Sequence, residues 1–344
     1  MSSVKRETVA FPSLNPVVLG DMKAPGVSRM QIEGRGLLFI PRAAAEIPRP
    51  AVVVLEGLAG LKDAREIGFA RQLADRGYVT LAVDTFGARN AGANENWRAL
   101  TVTESMMLAD AYAALRFLKA HPAVDPDRIA TIGFSYGGMI SVLAAYEQIR
   151  RLFAQGGERF VGHVSYYGCS VPRLVDSTAT GAPVKILLGE RDLNVSVART
   201  HQIADDLRKG GADVDVIVYE SVYHQWDSQD KSKRAVTFSL CDLRMIIEPD
   251  GAMRDETTGI VVGNRLQRAL ALVCGVSWSG YHMCADDSAT KASTGERHAF
   301  LDRVFHCSDV PKRARVSLRA ASPSRSREFS PASAANTATG VRSR

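Results

Sequence analysis

A mainly parallel β-sheet with helices on both faces is the architecture this sequence predicts, and three observations predict it. Short apolar runs rich in Val, Ile and Leu alternate with helical runs over most of the chain, the pattern of an α/β domain. One such run, Ile129-Ala130-Thr131-Ile132, ends in Gly133-Phe134-Ser135-Tyr136-Gly137-Gly138 and passes into a helical stretch, the context in which a serine is held on a sharp strand-to-helix bend. An aspartate and a histidine follow later strands, so three reactive side chains gather at the carboxyl edge, where open α/β sheets bind their ligands. A chain of 344 residues, 46% hydrophobic and 23% charged, has the composition of an ordinary globule with material for a sizeable core.

The elements follow in order. Val4 to Phe11 and Met30 to Ile40 read as leading strands, and the β-prone run Ala51 to Leu55 as the first central strand. A helix near 63–76 and a strand over Val79 to Val83 come next. Glu104 to Ala120 has helical spacing, with Leu108, Ala111, Leu115 and Leu118 on one face. The strand that carries the Ser135 bend is followed by a helix from about Tyr136 to Arg150. Val161 to Tyr167, Lys185 to Gly189 and Val214 to Tyr219 supply three more strands, with a helix over Ser196 to Lys209 between the last two. Between His224 and a final helix around Phe300-Leu301-Asp302 lies an insertion, about residues 231–287. In it, Leu240 to Ile247, the turn Glu248-Pro249-Asp250-Gly251 and a polar run to Ile260 read as a hairpin or small excursion, and Leu266 to Val276 as an apolar helix. The insertion either covers one side of the site or is a surface decoration.

The residue types in this order imply acyl transfer. A serine hydroxyl is a weak nucleophile at neutral pH, so an imidazole must take its proton and return it to the leaving group. Ser135 is the candidate nucleophile and His224, in the loop after the strand ending at Tyr219, the base. A carboxylate must fix the imidazole tautomer, and Asp192, beyond the strand ending at Gly189, is preferred to its neighbour Glu190. The order Ser, Asp, His is that of an α/β-hydrolase. An oxyanion hole needs two backbone amides. Tyr136 supplies one, and Gly57, with Leu58 close behind, the other, in the Glu56-Gly57-Leu58-Ala59-Gly60 turn after an early strand. Trp226, beside His224, is a candidate lining of the acyl pocket, with plain packing as the alternative.

Taken together, Leu55-Glu56-Gly57, Gly133-Phe134-Ser135-Tyr136-Gly137-Gly138, Tyr166-Tyr167-Gly168, Asp192 and His224 resemble the dienelactone hydrolase family. The resemblance runs from the first strand through the histidine loop and more weakly to the final helix. It implies an α/β-hydrolase that opens lactones or cleaves esters with no metal and no organic cofactor. Two features depart from the family pattern. The best-known members carry a cysteine where this chain has Ser135, which leaves the thiol-regulating role of the glutamate matched by Glu56 without an obvious counterpart beyond anchoring the loop. Members that open dienelactones hold a substrate carboxylate with two arginines. Arg89 looks like the first, but Ser228 stands where the second is expected, so Arg89 alone is left to hold an anionic group, with a surface position or a structural ion pair as the alternative.

The remaining composition narrows the class. Cys169, Cys241, Cys274, Cys284 and Cys307 show no metal-ligand spacing, and their odd number suggests reduced thiols in the cytoplasm, with a Cys241–Cys274 disulfide as the exported alternative. The net charge of +6 is concentrated at the end. Residues 311–344 hold eight Lys or Arg against one Glu and few large apolar residues, which reads as a disordered basic tail after a single domain over 1–310. A single aromatic residue, Phe329, stands among its arginines, too few for base stacking, which argues against a nucleic-acid partner, and no apolar stretch is long enough to span a membrane. The expected protein is a cytoplasmic serine hydrolase of a small ester or lactone, of unknown oligomeric state. A serine peptidase or acyl-peptide hydrolase on the same fold, and an inactive binding module, are the alternatives.

Overall fold

Alternating side chains of the central strands face two different layers of helices, and this is what places the site on one edge. The computed structural model describes residues 4–45, 47–168, 171–228 and 233–306. In chain order the first half runs β1 (Val4–Leu14), β2 (Gln31–Pro41), β3 (Arg49–Leu55), α1 (Glu66–Asp75), β4 (Val79–Val83), the single turn α2 (Thr85–Ala88), α3 (Glu95–Thr101), α4 (Glu104–Lys119) and β5 (Val124–Phe134). It continues with α5 (Tyr136–Leu143), α6 (Glu147–Phe153), β6 (His163–Tyr166), β7 (Pro172–Leu174), β8 (Val184–Gly189), α7 (Val197–Lys209) and β9 (Val214–Tyr219). The last part comprises β10 (Arg234–Val236), β11 (Met245–Ile247), β12 (Met253–Asp255), β13 (Val261–Val262), α8 (Arg265–Gly275), β14 (Tyr281–Met283) and α9 (Asp287–His306).

The main sheet has eight strands in the order β1-β2-β4-β3-β5-β6-β8-β9. β1 pairs with β2 and β2 with β4 in antiparallel fashion, and every later pair is parallel. On β3, Ala51, Val53 and Leu55 belong to the core layer that includes α4 and α5, whereas Val52 and Val54 belong to the layer that includes α1 and α9. This two-residue period on a doubly buried strand is why β3 reads as a continuous apolar run. The fold is the α/β-hydrolase architecture that the sequence predicts.

One expectation is corrected and two alternatives are narrowed. The elbow helix does not run unbroken to Arg150. It stops at Leu143, because Tyr146 is extended (φ −83°, ψ 136°) and bridges Ala179 before α6 begins. The insertion is not a detached excursion. β11 and β12 form the expected hairpin, but β11 also pairs in parallel with β7, building a second sheet of order β13-β12-β11-β7. The Cys241–Cys274 disulfide is absent, since Cys241, Cys274 and Cys284 are free thiols. The described residues lie in the unit Met1–Ser308, and the predicted tail, 311–344, lies outside them, as do Cys169 and Cys307. No helix among the described residues is long and apolar enough to cross a membrane.

Candidate active site

Ser135 sits between β5 and α5 with φ 50° and ψ −111°, a left-handed conformation that a non-glycine residue holds only when its surroundings enforce it. The glycines around it make that bend sterically possible. A Cβ at Gly133 would lie 1.9 Å from the Gly137 carbonyl oxygen, one at Gly137 2.4 Å from the Leu55 carbonyl oxygen, and one at Gly138 2.9 Å from Ser165 Oγ. The first turn of α5 is therefore pressed against β3 and β6. The Ser135 amide is pinned by the Tyr166 carbonyl at 2.9 Å.

His224 and Asp192 come to Ser135 from two other strand ends. His224 Nε2 is 3.2 Å from Ser135 Oγ, and His224 Nδ1 is 2.6 Å from Asp192 Oδ2. The second Asp192 oxygen accepts the Asn194 amide at 2.9 Å, and both the His224 and Asp192 side chains are wholly buried. The rival Glu190 is exposed and accepts the Ser221 amide at 2.8 Å. The imidazole is flanked edge-on by Tyr167, at 4.8 Å between ring centres, and by Tyr281 of β14, at 5.1 Å. Its loop is tied down by the chain returning from the insertion, through Cys284 N–H to the His224 carbonyl and Asp286 N–H to the Trp226 carbonyl. An open cleft of about 360 Å³ lies over Ser135, walled mainly by Leu58, Met139, Val171, Val195 and Leu240.

Tyr136 lies as predicted at the first position of α5, where an amide has no partner inside the helix. Gly57 also lies where predicted, and a Cβ there would be 3.4 Å from Ser135 Cβ. Its N–H, however, is turned toward Glu66 Oε1 at 3.4 Å. The adjacent Leu58 amide makes no hydrogen bond among the described residues and borders the cleft. Of the two amides named as candidates, Leu58 rather than Gly57 is the one left without a partner among the described residues.

Arg89, Trp226 and Glu56 are each held by contacts within the fold. All five Arg89 N–H groups are committed, to Asn15 Oδ1, the Thr85 and Leu14 carbonyls and both Asp110 oxygens, the shortest at 2.6 Å. Trp226 is fully buried, donates to Ser293 Oγ at 3.1 Å and packs edge-on against Tyr167. Glu56 is fully buried and accepts the Phe86 amide at 3.0 Å. Burial, reinforced by the nearby Asp84 charge, pushes its carboxyl well above the usual range, so Glu56 anchors the β4–α2 turn.

One cluster at the site had not been expected. The Tyr136 hydroxyl is 3.0 Å from the Val102 carbonyl and 3.1 Å from Glu104 Oε1, and accepts from Arg268 Nη2 at 3.1 Å. Arg268, from α8 of the insertion, also grips both Glu104 oxygens, at 2.8 and 3.2 Å, and the Ala99 carbonyl. Burial works to raise the Glu104 pKa, but the Arg268 charge and hydrogen bonds override it and hold the carboxyl below its ordinary value. Burial and the Glu104 charge push the Tyr136 phenol well up. A signal was present in the sequence, because Arg268 shares with Ala271 the three-residue spacing of the buried stripe of α8.

The dienelactone hydrolase family model matches residues 35–242, more than half of the chain. The chain belongs to the dienelactone hydrolase family. Membership makes it a hydrolase acting on ester bonds. A Methylorubrum extorquens protein provisionally named a carboxymethylenebutenolidase is 26% identical over 64% of this chain and 76% of its own length. A Bradyrhizobium sp protein provisionally named a 2-oxo-3-(5-oxofuran-2-ylidene)propanoate lactonase is 24% identical over 55% of this chain and 77% of its own. The Bacillus subtilis uncharacterized peptidase YtmA is 24% identical over 47% of this chain and 70% of its own. Among solved structures, a dienelactone hydrolase-like promiscuous phosphotriesterase from metagenomic libraries shares the fold at a TM-score of 0.53 and 17% identity, over 88% of this chain and all of its own. Arg89, which the resemblance would make a ligand contact, is paired with Asp110.

Proposed function

We propose that this protein cleaves an uncharged carboxylic ester or lactone through an acyl-serine intermediate formed on Ser135. The observation that carries the reading is the continuous chain Ser135 Oγ, His224 Nε2, His224 Nδ1, Asp192 Oδ2, with steps of 3.2 and 2.6 Å at its two hydrogen bonds. His224 Nε2 takes the hydroxyl proton as Oγ attacks the carbonyl carbon. Asp192, accepting the Nδ1 proton, fixes the tautomer and stabilises the imidazolium. The carbonyl oxygen, now anionic, accepts from the Tyr136 and Leu58 amides, aided by the positive end of α5. The imidazolium then protonates the leaving alkoxide. In the second half, His224 deprotonates a water that attacks the acyl carbon, and Ser135 leaves with the returned proton.

The apolar cleft walls and the engagement of Arg89 with Asp110 favour an acyl group without charge. The free thiols Cys241, Cys274 and Cys284 support a reducing, cytoplasmic setting. The test is hydrolysis of short-chain nitrophenyl esters and simple lactones by wild type and Ser135→Ala. Turnover is expected to fall by about four orders of magnitude or more in the variant, with its circular dichroism unchanged. Faster turnover of peptide anilides than of any ester would move the reading to a peptidase.

A further inference from the structure

A second apolar hollow, of about 600 Å³, opens beside the catalytic cleft between α3 and α8. Leu100 on α3, Leu272, Val273 and Val276 on α8, together with Phe238 and Trp278, form its walls, and no charged side chain lines it. Its apolar surface is unusually open, with Trp278 71% and Val273 57% exposed. A contiguous exposed apolar face of this kind marks a binding surface.

Its position says what it binds. Leu240 lines this hollow and also the cleft over Ser135. Leu240 is fixed there, because its N–H donates to Asn194 Oδ1 at 3.0 Å, while the Asn194 N–H donates to Asp192 Oδ1 at 2.9 Å. The wall between cleft and hollow is thus built onto the triad itself. α3 and α8 are held together on the other side, through Arg268 to the Ala99 carbonyl and Arg265 to the Thr101 carbonyl at 3.2 Å.

Resting on the serine-hydrolase reading, we infer that the hollow is the subsite for the hydrocarbon chain of the ester, which crosses Leu240 when the ester carbonyl lies at Ser135. The substrate class is then a neutral ester with an extended alkyl or aryl chain, larger than the cleft alone accommodates. Burying each methylene is worth about two- to four-fold in kcat/KM.

Two ester series with the full chain test this: nitrophenyl esters from acetate to octanoate, and alkyl acetates from ethyl to octyl. kcat/KM is expected to rise at least tenfold along one series, and that series identifies whether the acyl or the alcohol chain enters the hollow. The readout in variants is the ratio of kcat/KM for the longest to the shortest ester. Val273→Asp and, as a surface change that cannot unsettle the core, Trp278→Glu should each lower that ratio about tenfold. A ratio that stays at the wild-type value in both variants, or a wild-type kcat/KM that falls from the shortest ester onward in both series, overturns the inference. A dimer that Val273→Asp dissociates with the ratio unchanged also overturns it and gives the hollow to a second copy of the chain. Acetate hydrolysis without chain preference removes this inference alone. No hydrolysis of any ester, with no phosphonate labelling of Ser135, removes the serine-hydrolase reading as well.

Discussion

At Ser135 the backbone adopts φ 50° while three glycines absorb the crowding it creates, and this steric necessity is why the bend could be read from five letters. The meeting of Asp192 with His224 was legible for a related reason, since each follows the end of a neighbouring parallel strand. The role of Asp192 has a sharp test. Asp192→Asn keeps the shape of the side chain but presents a donor to His224 Nδ1, which favours the wrong tautomer, so kcat should fall about 10⁴-fold with KM little changed. A fall of less than tenfold in steady-state kinetics would assign the tautomer control elsewhere. Sequence alone left Arg89, Trp226 and Glu56 open between a role at the site and a structural one, because each side chain turns inward to a partner distant in sequence. Arg89 meets Asp110, Trp226 meets Ser293, and Glu56 meets the Phe86 amide. Spacing along the chain carries no information about such pairs. Gly57 was placed correctly, but which of two adjacent amides faces the cleft depends on the Glu66 carboxylate nine residues away.

Strands and helices with strong apolar patterning were legible almost to their ends, as β4 and β9 show, and the elements that were not legible owe their form to tertiary contacts. The break after Leu143 has no proline or glycine to announce it; the Thr178 carbonyl takes the Glu147 amide, and the Ala145 carbonyl takes the Thr180 amide, at 2.9 and 2.8 Å. β7 has three residues and gains its identity only by pairing with β11. The insertion contributes Leu240, Arg268 and Tyr281 to the site, which favours the reading that it covers one side of the site over that of a surface decoration. Arg268 gives that statement a measurable consequence. Arg268→Met would leave the mostly buried Glu104 without its counter-charge beside the Tyr136 hydroxyl, and because that side chain is 20% exposed the urea midpoint should fall by an amount equivalent to roughly 1–3 kcal/mol, less than for a fully buried pair. Adding Glu104→Gln should recover part of that loss, because it removes the stranded charge. An unchanged midpoint in the single variant would mean that the buried pair does not hold α8 to the elbow.

Across the whole molecule, one parallel sheet edge brings three loops to one site, and a buried histidine of that sheet ties its stability to pH. His163 on β6 is fully buried, and burial lowers its pKa from 6.5 to about 4. The unfolded chain therefore binds a proton near pH 6.5 that the folded chain refuses until about pH 4. This contribution to stability is complete above pH 6.5 and is lost as the pH falls through that window, by up to about 3 kcal/mol. Urea unfolding of wild type at pH 7 and pH 4.5 should show the loss, and His163→Leu should flatten it; an equal loss in both proteins would assign the acid sensitivity to other groups. The central claim, that Ser135 is the nucleophile which the sheet edge exists to present, is tested most directly by covalent trapping. Wild type and Ser135→Ala would be treated with a short-chain alkyl fluorophosphonate and examined by intact mass and peptide mapping. The account predicts one phosphonyl adduct per wild-type chain, mapped to Ser135, and none on the variant; an unlabelled wild type, or an adduct that persists at the same rate in Ser135→Ala, would contradict it.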